Sequence, residues 1–279
     1  MLLRLRAENV AFWATVRKEL QVMLRYKGSL VALAVFAFLA PLGYYAQAVG
    51  FAGNNDQALA AFASRAGTTQ IAAFIYLGWA VYLWITQMLW GPGSSLRQER
   101  MEGSLEMVFL TPVSRLTILI APGVAQLLPT TVLFGSVGLI LRFVFGVQMS
   151  PLQLLAGLAV IVASIPALCS IGAIVAVAAL RFRDSDGIIE ALRGLIAVLC
   201  GVAYPIAVLP GWLQPISRAL PPTQIIDQLR SAVLNTWSGD ATVRALLLIL
   251  VGVVLGWAAL ILLRISMRSI RRTGRLGQF

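Results

Sequence analysis

The chain has 279 residues, of which 59% are hydrophobic and only 12% are charged, about half the charged fraction of an ordinary soluble domain. Its formal net charge is +11. In a soluble protein that excess would suggest a nucleic-acid partner, but here the basic residues lie between apolar runs that are long enough to cross a bilayer. We therefore exclude a soluble domain and a nucleic-acid partner, and we predict an all-α membrane protein with several spans.

The first part of the chain combines an amphipathic segment with two apolar runs. Residues 1–28 interleave basic residues with Val, Phe, Trp and Leu at spacings of three and four, which favours a helix in the plane of the lipid headgroups. A solvated basic tail is the alternative. The first span is predicted from Ser29 to Gly50, and a short connector, residues 51–69, leads to the second span, Gln70 to Trp90. We expect Gly91-Pro92-Gly93 to end that second span.

A charged segment, Leu96–Arg115, lies between the second and third apolar runs, and we call it the acidic stretch. At about 100° per residue, Glu99, Glu102 and Glu106 fall on one narrow face of a helix, with apolar residues on the opposite face. A helix over residues 94–112 is therefore predicted. It is too polar to span a bilayer, so we expect it at the membrane surface with its acidic face toward another component. A merely solvated acidic face is the alternative.

Four further spans follow the acidic stretch. They are predicted at Leu116–Phe145, Pro151–Leu180, about Ile188–Leu209 and Thr242–Leu263. The segment between the last two, residues 210–236, is moderately apolar but is broken by Pro215, Pro221 and Pro222, so it cannot form a spanning helix. We expect one or two short helices that dip into the outer leaflet as a re-entrant segment, with a plain surface loop as the alternative.

The distribution of basic residues predicts the orientation of the six spans. An even number of spans places both termini on one side of the membrane, and 17 of the 22 Lys and Arg residues fall on that side against five on the other. Basic residues are enriched in cytoplasmic loops. We therefore expect a multi-pass protein of the cell membrane whose termini, together with the acidic stretch, face the cytoplasm.

The acidic and histidine content limits the chemistry that the chain can perform. All eleven Asp and Glu residues map to loops, termini or interfacial helices, whereas ion-coupled transporters generally need carboxylates or unwound helices within the membrane. This weakens a secondary-transport function without excluding it. The sequence also contains no histidine and no GxxxxGK[ST] loop, so we expect a non-catalytic subunit that depends on another protein for ATP hydrolysis.

Two motifs that lie far apart resemble one family. In Arg97–Arg115, R-x-E-x-x-G-S-L-E is followed by T-P-V-S-R, which resembles the cytoplasmic coupling helix of ABC-2-type transporter permeases. The pairs Tyr204-Pro205 and Leu209-Pro210, followed by Leu220-Pro221-Pro222 and Leu229-Arg230, resemble the fifth span and the extracellular re-entrant helices of the same family. The amphipathic N-terminus is similar to the family's connecting helix.

The resemblance implies the permease half of an ABC exporter. Two six-span subunits, either two copies of this chain or this chain and a related permease, would enclose a path between them within the membrane lipids. An ATPase dimer would dock beneath them and bind ATP and Mg, with no cofactor in this chain. The implied domains are a connecting helix at residues 1–28 and a single six-span transmembrane domain at residues 29–279.

The resemblance and the sequence pattern together suggest three groups of site residues. The residues expected to couple the chain to the ATPase are Arg97, Glu99, Arg100, Glu102, Gly103 and Glu106. The residues expected to form an extracellular gate are Tyr204, Pro205, Pro210, Trp212, Pro221 and Pro222. The residues that could line the pathway are Trp79, Tyr82, Gln87 and Thr130. For this last group, an interfacial aromatic belt and bonding between helices are equally good explanations.

The substrate is the least determined part of the hypothesis. We favour a hydrophobic or amphipathic cargo, drug-like or lipid-like, moved out of the cytoplasm or the inner leaflet. Export of a polysaccharide or another polymer is the alternative within the family, and an ion-coupled secondary transporter or a structural scaffold is the alternative outside it. In the expected mechanism, closure of the ATPase dimer pushes the coupling helix, the spans rock, and the re-entrant segment opens or seals the outer exit.

Overall fold

The chain folds into a bundle of long apolar helices with several short helices at its ends. The computed structural model describes residues 2–52, 56–101, 115–179, 185–234 and 239–273. The helices in these ranges are α1 Leu2–Arg25, α2 Lys27–Ala52, α3 Asp56–Ala66, α4 Ile71–Met101, α5 Arg115–Ala125, α6 Leu127–Phe143, α7 Pro151–Ala179, α8 Ser185–Leu199, α9 Leu213–Ala219, α10 Pro221–Leu234 and α11 Gly239–Thr273. The all-α class predicted from composition is confirmed.

Five helical segments of the described ranges are long and apolar enough to cross a membrane. They are Lys27–Gly50, Ile71–Gly91, Ala121–Phe143, Pro151–Ala178 and Thr242–Leu262. These segments agree with the first, second, third, fourth and sixth predicted spans. The third is built from parts of two helices, because α5 and α6 meet at a one-residue turn at Gln126.

The fifth predicted span is shorter than expected. Helix α8 ends at Leu199 and is about 22 Å long, whereas a bilayer core is about 30 Å thick. The prediction of a continuous helix to Leu209 was therefore wrong. Gly201 has a φ of 63°, which favours glycine and turns the chain away from the helix axis. Bends and a short 3₁₀ turn, Ile206–Val208, follow.

Two other local features of the structure were not predicted. Helix α4 continues through Gly91-Pro92-Gly93 to Met101, so the apolar span ends at that tripeptide as predicted, while the helix itself does not end there. Proline disfavours a helix interior mainly through its own missing N–H and a clash one turn earlier, and the helix tolerates both here. The lack of a side chain at Gly91 also lets α4 pack closely against Gln126, since an ideal Cβ there would lie 2.9 Å from Nε2 of Gln126. The predicted connector, residues 51–69, contains a helix, α3, which was not predicted because the connector begins with residues typical of a turn.

Helix α4 forms the centre of the bundle. Nearly every side chain from Ala72 to Leu89 is buried, and α2, α5, α6, α7, α8 and α10 pack against it. In contrast, the spans of α2 and α11 are mostly exposed along their lengths. The chain alone therefore leaves two long apolar helices to be covered by lipid or by another protein.

The most extensive helix pairing among the described residues joins α7 and α11. Gly252 allows the close approach, because an ideal Cβ there would lie 2.5 Å from the backbone nitrogen of Ala167. At the same place the Ser170 hydroxyl lies 2.8 Å from the carbonyl oxygen of Gly252 and can donate to it. Small residues with a hydroxyl bond are a common device for packing helices within a bilayer.

The amphipathic N-terminal helix α1 packs against α5. Val16 is 3% exposed and lies in a small cluster with Ala121 and Ala125, flanked by Phe12 and Leu20. Because α5 begins at the last residue of the acidic stretch, α1 rests on the helix that leaves that stretch.

Candidate functional site

The predicted coupling residues begin at the end of α4. Arg97, Glu99 and Arg100 belong to the last helical turns of α4, so the first part of the acidic stretch extends the central helix of the bundle. The other coupling residues, Glu102, Gly103 and Glu106, lie outside the described residues. A coupling role for all six stays a prediction.

The predicted gate residues surround the junction of α8, α9 and α10. The Tyr204 hydroxyl donates to the carbonyl oxygen of Val198 in the last turn of α8. Pro205 is buried, whereas Pro210 and Trp212 are exposed. The exposed fraction of Trp212 is 71%. These residues lead into α9, and Pro221 with the buried Pro222 begins α10.

Proline suits the first turn of a helix, because the N–H that it lacks would have no partner there. Residues 210–234 contain two short helices, α9 and α10, as predicted, and we call this pair the hairpin. Its entry into the outer leaflet as a re-entrant segment stays a prediction.

The predicted pathway residues do not share one surface of this chain. Tyr82 and Thr130 are buried, and the Thr130 hydroxyl donates to the carbonyl oxygen of Gln126 over 2.7 Å. Trp79 and Gln87 are partly exposed. The Trp79 ring lies among aromatic rings of α2 and α4; the centroid distances are 6.4 Å to Phe36, 5.0 Å to Tyr44 and 5.1 Å to Tyr82. Lining of a pathway by these four residues stays a prediction.

Arg230, in α10, is a buried arginine that binds three main-chain carbonyl groups. It is only 6% exposed. Its guanidinium donates from Nε to the carbonyl oxygen of Phe74 over 3.0 Å, from Nη1 to that of Gly201 over 2.9 Å, and from Nη2 to that of Val202 over 2.7 Å. It also stacks on the Phe74 ring, with Cζ 3.4 Å from the ring centroid. Arg230 thus ties α10 to the first turn of α4 and to the turn after α8.

A glycine makes this arrangement possible. Gly78 lies one helical turn after Phe74, and a methyl group at Gly78 would overlap the Val202 carbonyl oxygen and Nη2 of Arg230. Only a residue without a side chain lets the guanidinium and the turn approach the backbone of α4 so closely. We call Arg230, Phe74, Gly78, Gly201 and Val202 the Arg230 joint.

The joint contains a buried cation. Burial lowers the pKa of the Arg230 guanidinium, while the carboxylate of Asp227, three residues earlier on α10, opposes the shift. An arginine in a protein stays protonated at neutral pH, so the positive charge is retained and is balanced by the dipoles of three carbonyl groups. The pKa of Asp227 is raised by desolvation, against the effects of Arg230, Arg218 and Arg244.

Sequence reasoning missed the role of Arg230. The motif that resembles the family contains Arg230, but its position between two spans predicts an arginine of an outer loop, where such a residue is usually solvated. The available signals were an arginine in an amphipathic segment that follows a pair of prolines, and Gly78, the one glycine of the predicted second span. Neither signal identifies main-chain carbonyls as the partners.

Comparison with known families identifies the chain over most of its length. A family model described as ABC-2 type transporter matches residues 10–234. The matched range begins within α1 and ends at the last residue of α10, so it contains the acidic stretch, the hairpin and the whole Arg230 joint. No curated protein matches the chain.

Proposed function

The chain belongs to the ABC-2 type transporter family of membrane proteins, whose members pair with an ABC ATPase subunit, and we propose that it exports a hydrophobic or amphipathic substrate as the permease of an ATP-driven complex. The cargo would be drug-like or lipid-like and would leave the cytoplasm or the inner leaflet. Family membership over residues 10–234 is the observation that carries this function.

The composition of the spans supports an external source of energy. None of the five candidate spans of the described residues contains Asp or Glu, the side chains with which ion-coupled transporters usually bind protons or sodium. Apolar walls also suit an apolar cargo, since a strongly polar solute would lose its hydration without replacement hydrogen bonds.

The helices on both sides of the acidic stretch support its role in coupling. Helix α4 leads into the stretch from the centre of the bundle, and α5, which leaves it, packs against both α4 and α1. A displacement of the stretch would therefore enter the bundle through two packed helices. We propose that Glu99, Glu102 and Glu106 pair with basic residues in a groove of the ATPase.

The exposed faces of α2 and α11 suit a partner within the membrane. Both are apolar spans in which most side chains of the described structure are exposed, although one face of α11 packs against α7. We propose that a second copy of this chain, or a related permease, covers one of these faces and that lipid covers the remainder. The termini and the acidic stretch would face the cytoplasm, and the hairpin would face the opposite side of the membrane.

Reconstitution tests the function directly. The chain would be purified with its ATPase subunit and placed in liposomes, and ATP-dependent movement would be measured for a fluorescent phospholipid, a hydrophobic dye and a labelled oligosaccharide. We expect the first two to move and to stimulate ATP hydrolysis. Movement of the oligosaccharide alone would instead support polymer export, and uphill movement without the ATPase would refute the proposal.

Charge reversal tests the coupling surface. The double variant Glu102→Lys with Glu106→Lys should abolish transport and its stimulation of ATP hydrolysis, because two attractive contacts become repulsive. We expect the purified permease to remain folded and monodisperse, which gel filtration and thermal unfolding would check. Unchanged stimulation would show that the acidic face is merely solvated. The variant Glu190→Gln, at an exposed position of α8, is the control for loss of a surface carboxylate.

A further inference from the structure

We propose that Arg230 is a positioning residue that fixes the hairpin to the start of α4, so that α4 and the hairpin move as one rigid body during transport. This inference rests on the proposed function, because it assigns the element through which a push at the acidic stretch reaches the far end of the bundle. The hairpin would then be a gate carried by α4 and not an independently hinged flap.

The first argument is the strength of the joint. One buried guanidinium holds three carbonyl oxygens from two separate parts of the chain and stacks on the Phe74 ring. Each lost hydrogen bond to a charged group is expected to raise the open population roughly 10- to 100-fold. Opening would also leave the buried cation without partners, which is more costly than the loss of the bonds alone.

The second argument is the continuity of α4. This helix runs without a break from Ile71 to Met101, and Phe74 and Arg97 are about 35 Å apart along its axis. Its outer end carries two parts of the joint, Phe74 and Gly78, and its other end carries the first residues of the acidic stretch. A single helix in the centre of the core therefore links the expected coupling surface to the hairpin.

The third argument is that Gly78 fits α4 to this joint. The three atoms nearest to a methyl group at Gly78 all belong to the joint, namely the carbonyl oxygen and carbon of Val202 and Nη2 of Arg230. In contrast, a methyl group at Gly138, on α6, would meet nothing within 4 Å. Gly78 is therefore needed for the contact of α4 with the turn after α8 and with α10, and not for the helix itself.

Cys200 provides a reporter of the joint. Its side chain is fully buried, and it precedes Gly201, whose carbonyl binds Arg230. In a Cys169→Ala background Cys200 is the sole cysteine. The permease–ATPase complex would be placed in nanodiscs and treated with a water-soluble maleimide, at rest and during ATP turnover. We expect slow labelling at the same rate in both conditions, because the joint stays closed.

Three variants should release the joint. Arg230→Gln keeps at most part of the bonding, Arg230→Lys keeps the charge but not the planar fork of donors, and Gly78→Ala pushes the turn away. We expect each to label Cys200 at least about tenfold faster at rest, as estimated for the loss of one charge-assisted hydrogen bond. Arg218→Gln, at an exposed position of α9, and Gly138→Ala are the matched controls and should label like the parent.

A second readout separates positioning from general stability. A variant that is only less stable loses transport and substrate-stimulated ATP hydrolysis together, whereas a released joint should lower the amount of substrate moved per ATP. Unchanged transport per ATP in a variant that exposes Cys200 would overturn the proposal.

The parent protein tests the same idea without a variant at the joint. Faster labelling of Cys200 during turnover than at rest would also overturn the proposal, because the joint would then open in each cycle. This comparison remains decisive if Arg230→Gln and Gly78→Ala cannot be purified. Labelling at rest needs neither transport nor ATP, so failure of the proposed export function would be seen separately as a lack of ATP-dependent movement.

Discussion

The end of α8 offers a quantitative test of how the turn before the hairpin is held. Ser217, in α9, is fully buried, and its hydroxyl donates to the carbonyl oxygen of Leu199 over 2.6 Å. Because α8 ends at Leu199, no backbone N–H of the described residues bonds to that carbonyl. The variant Ser217→Ala should therefore leave a buried acceptor unpaired, at a cost of about 1–3 kcal/mol.

Ser164→Ala is a closely matched control for this prediction. Ser164 is also fully buried, and its hydroxyl donates over 2.6 Å to the carbonyl oxygen of Val160. That carbonyl lies inside α7 and keeps its helical N–H partner, so removal of the hydroxyl leaves no unpaired group. The expected cost is at most about 1 kcal/mol.

Thermal unfolding of the detergent-solubilised protein, followed by tryptophan fluorescence, measures the difference between the two variants. With roughly 2–4 °C per kcal/mol for a chain of this size, Ser217→Ala should lower Tm by about 2 to 12 °C and Ser164→Ala by clearly less. Equal shifts for the two variants would refute the reasoning, since they would show that the position of the acceptor at a helix end does not matter.

Two further predictions concern helix packing. Gly252→Ala should destabilise the protein by about 1–3 kcal/mol, because the added methyl group would lie 2.5 Å from the backbone nitrogen of Ala167, and a lower Tm would verify it. Gly135→Ala, which meets nothing within 4 Å, should be neutral or slightly stabilising in its helix; a fall of equal size would contradict this explanation. Val16→Glu should detach α1 from α5 and speed tryptic cleavage within α1, whereas Val10→Glu, at a position that is 70% exposed, should leave the cleavage rate of the parent; similar digestion of both would indicate that α1 does not depend on this contact.

The apolar spans could be predicted from the sequence because a long run of apolar residues is a local property. Five of the six predicted spans coincide with described helices of sufficient length. The hairpin could also be predicted, since several closely spaced prolines within residues 210–236 make one long helix unfavourable there. These features depend on residues near each other in the chain.

The end of the fifth predicted span could not be predicted in this way. Up to Leu209 the sequence stays apolar, and only Gly201 hints at a turn. What allows α8 to stop at Leu199 is a set of donors from later residues, namely Ser217 for Leu199, Tyr204 for Val198 and Arg230 for Gly201. Carbonyl groups that leave a helix inside an apolar environment need such partners, and the pairing depends on the tertiary fold.

The same limitation explains why the sequence pattern does not predict the burial of Arg230. Its acceptor at Phe74 is 156 positions away in the chain, and nothing in the local sequence distinguishes a buried arginine bonded to main-chain carbonyls from a solvated one. Gly78 is equally uninformative on its own, because glycine is common in membrane helices. The role of each residue is clear only from the fold, in which Gly78 leaves the space that the Arg230 guanidinium occupies.

The chemistry of the acceptors in the Arg230 joint predicts an unusual pattern of tolerance to substitution. Every residue has a carbonyl oxygen, so the side chains at Phe74 and Val202 can vary while the hydrogen bonds persist, with loss only of the ring stacking at Phe74. The joint instead requires a guanidinium at Arg230, the absence of a side chain at Gly78 and a positive φ at Gly201. In a library of random variants selected for export, we therefore expect those three positions to be nearly invariant and Val202 to diversify among apolar residues.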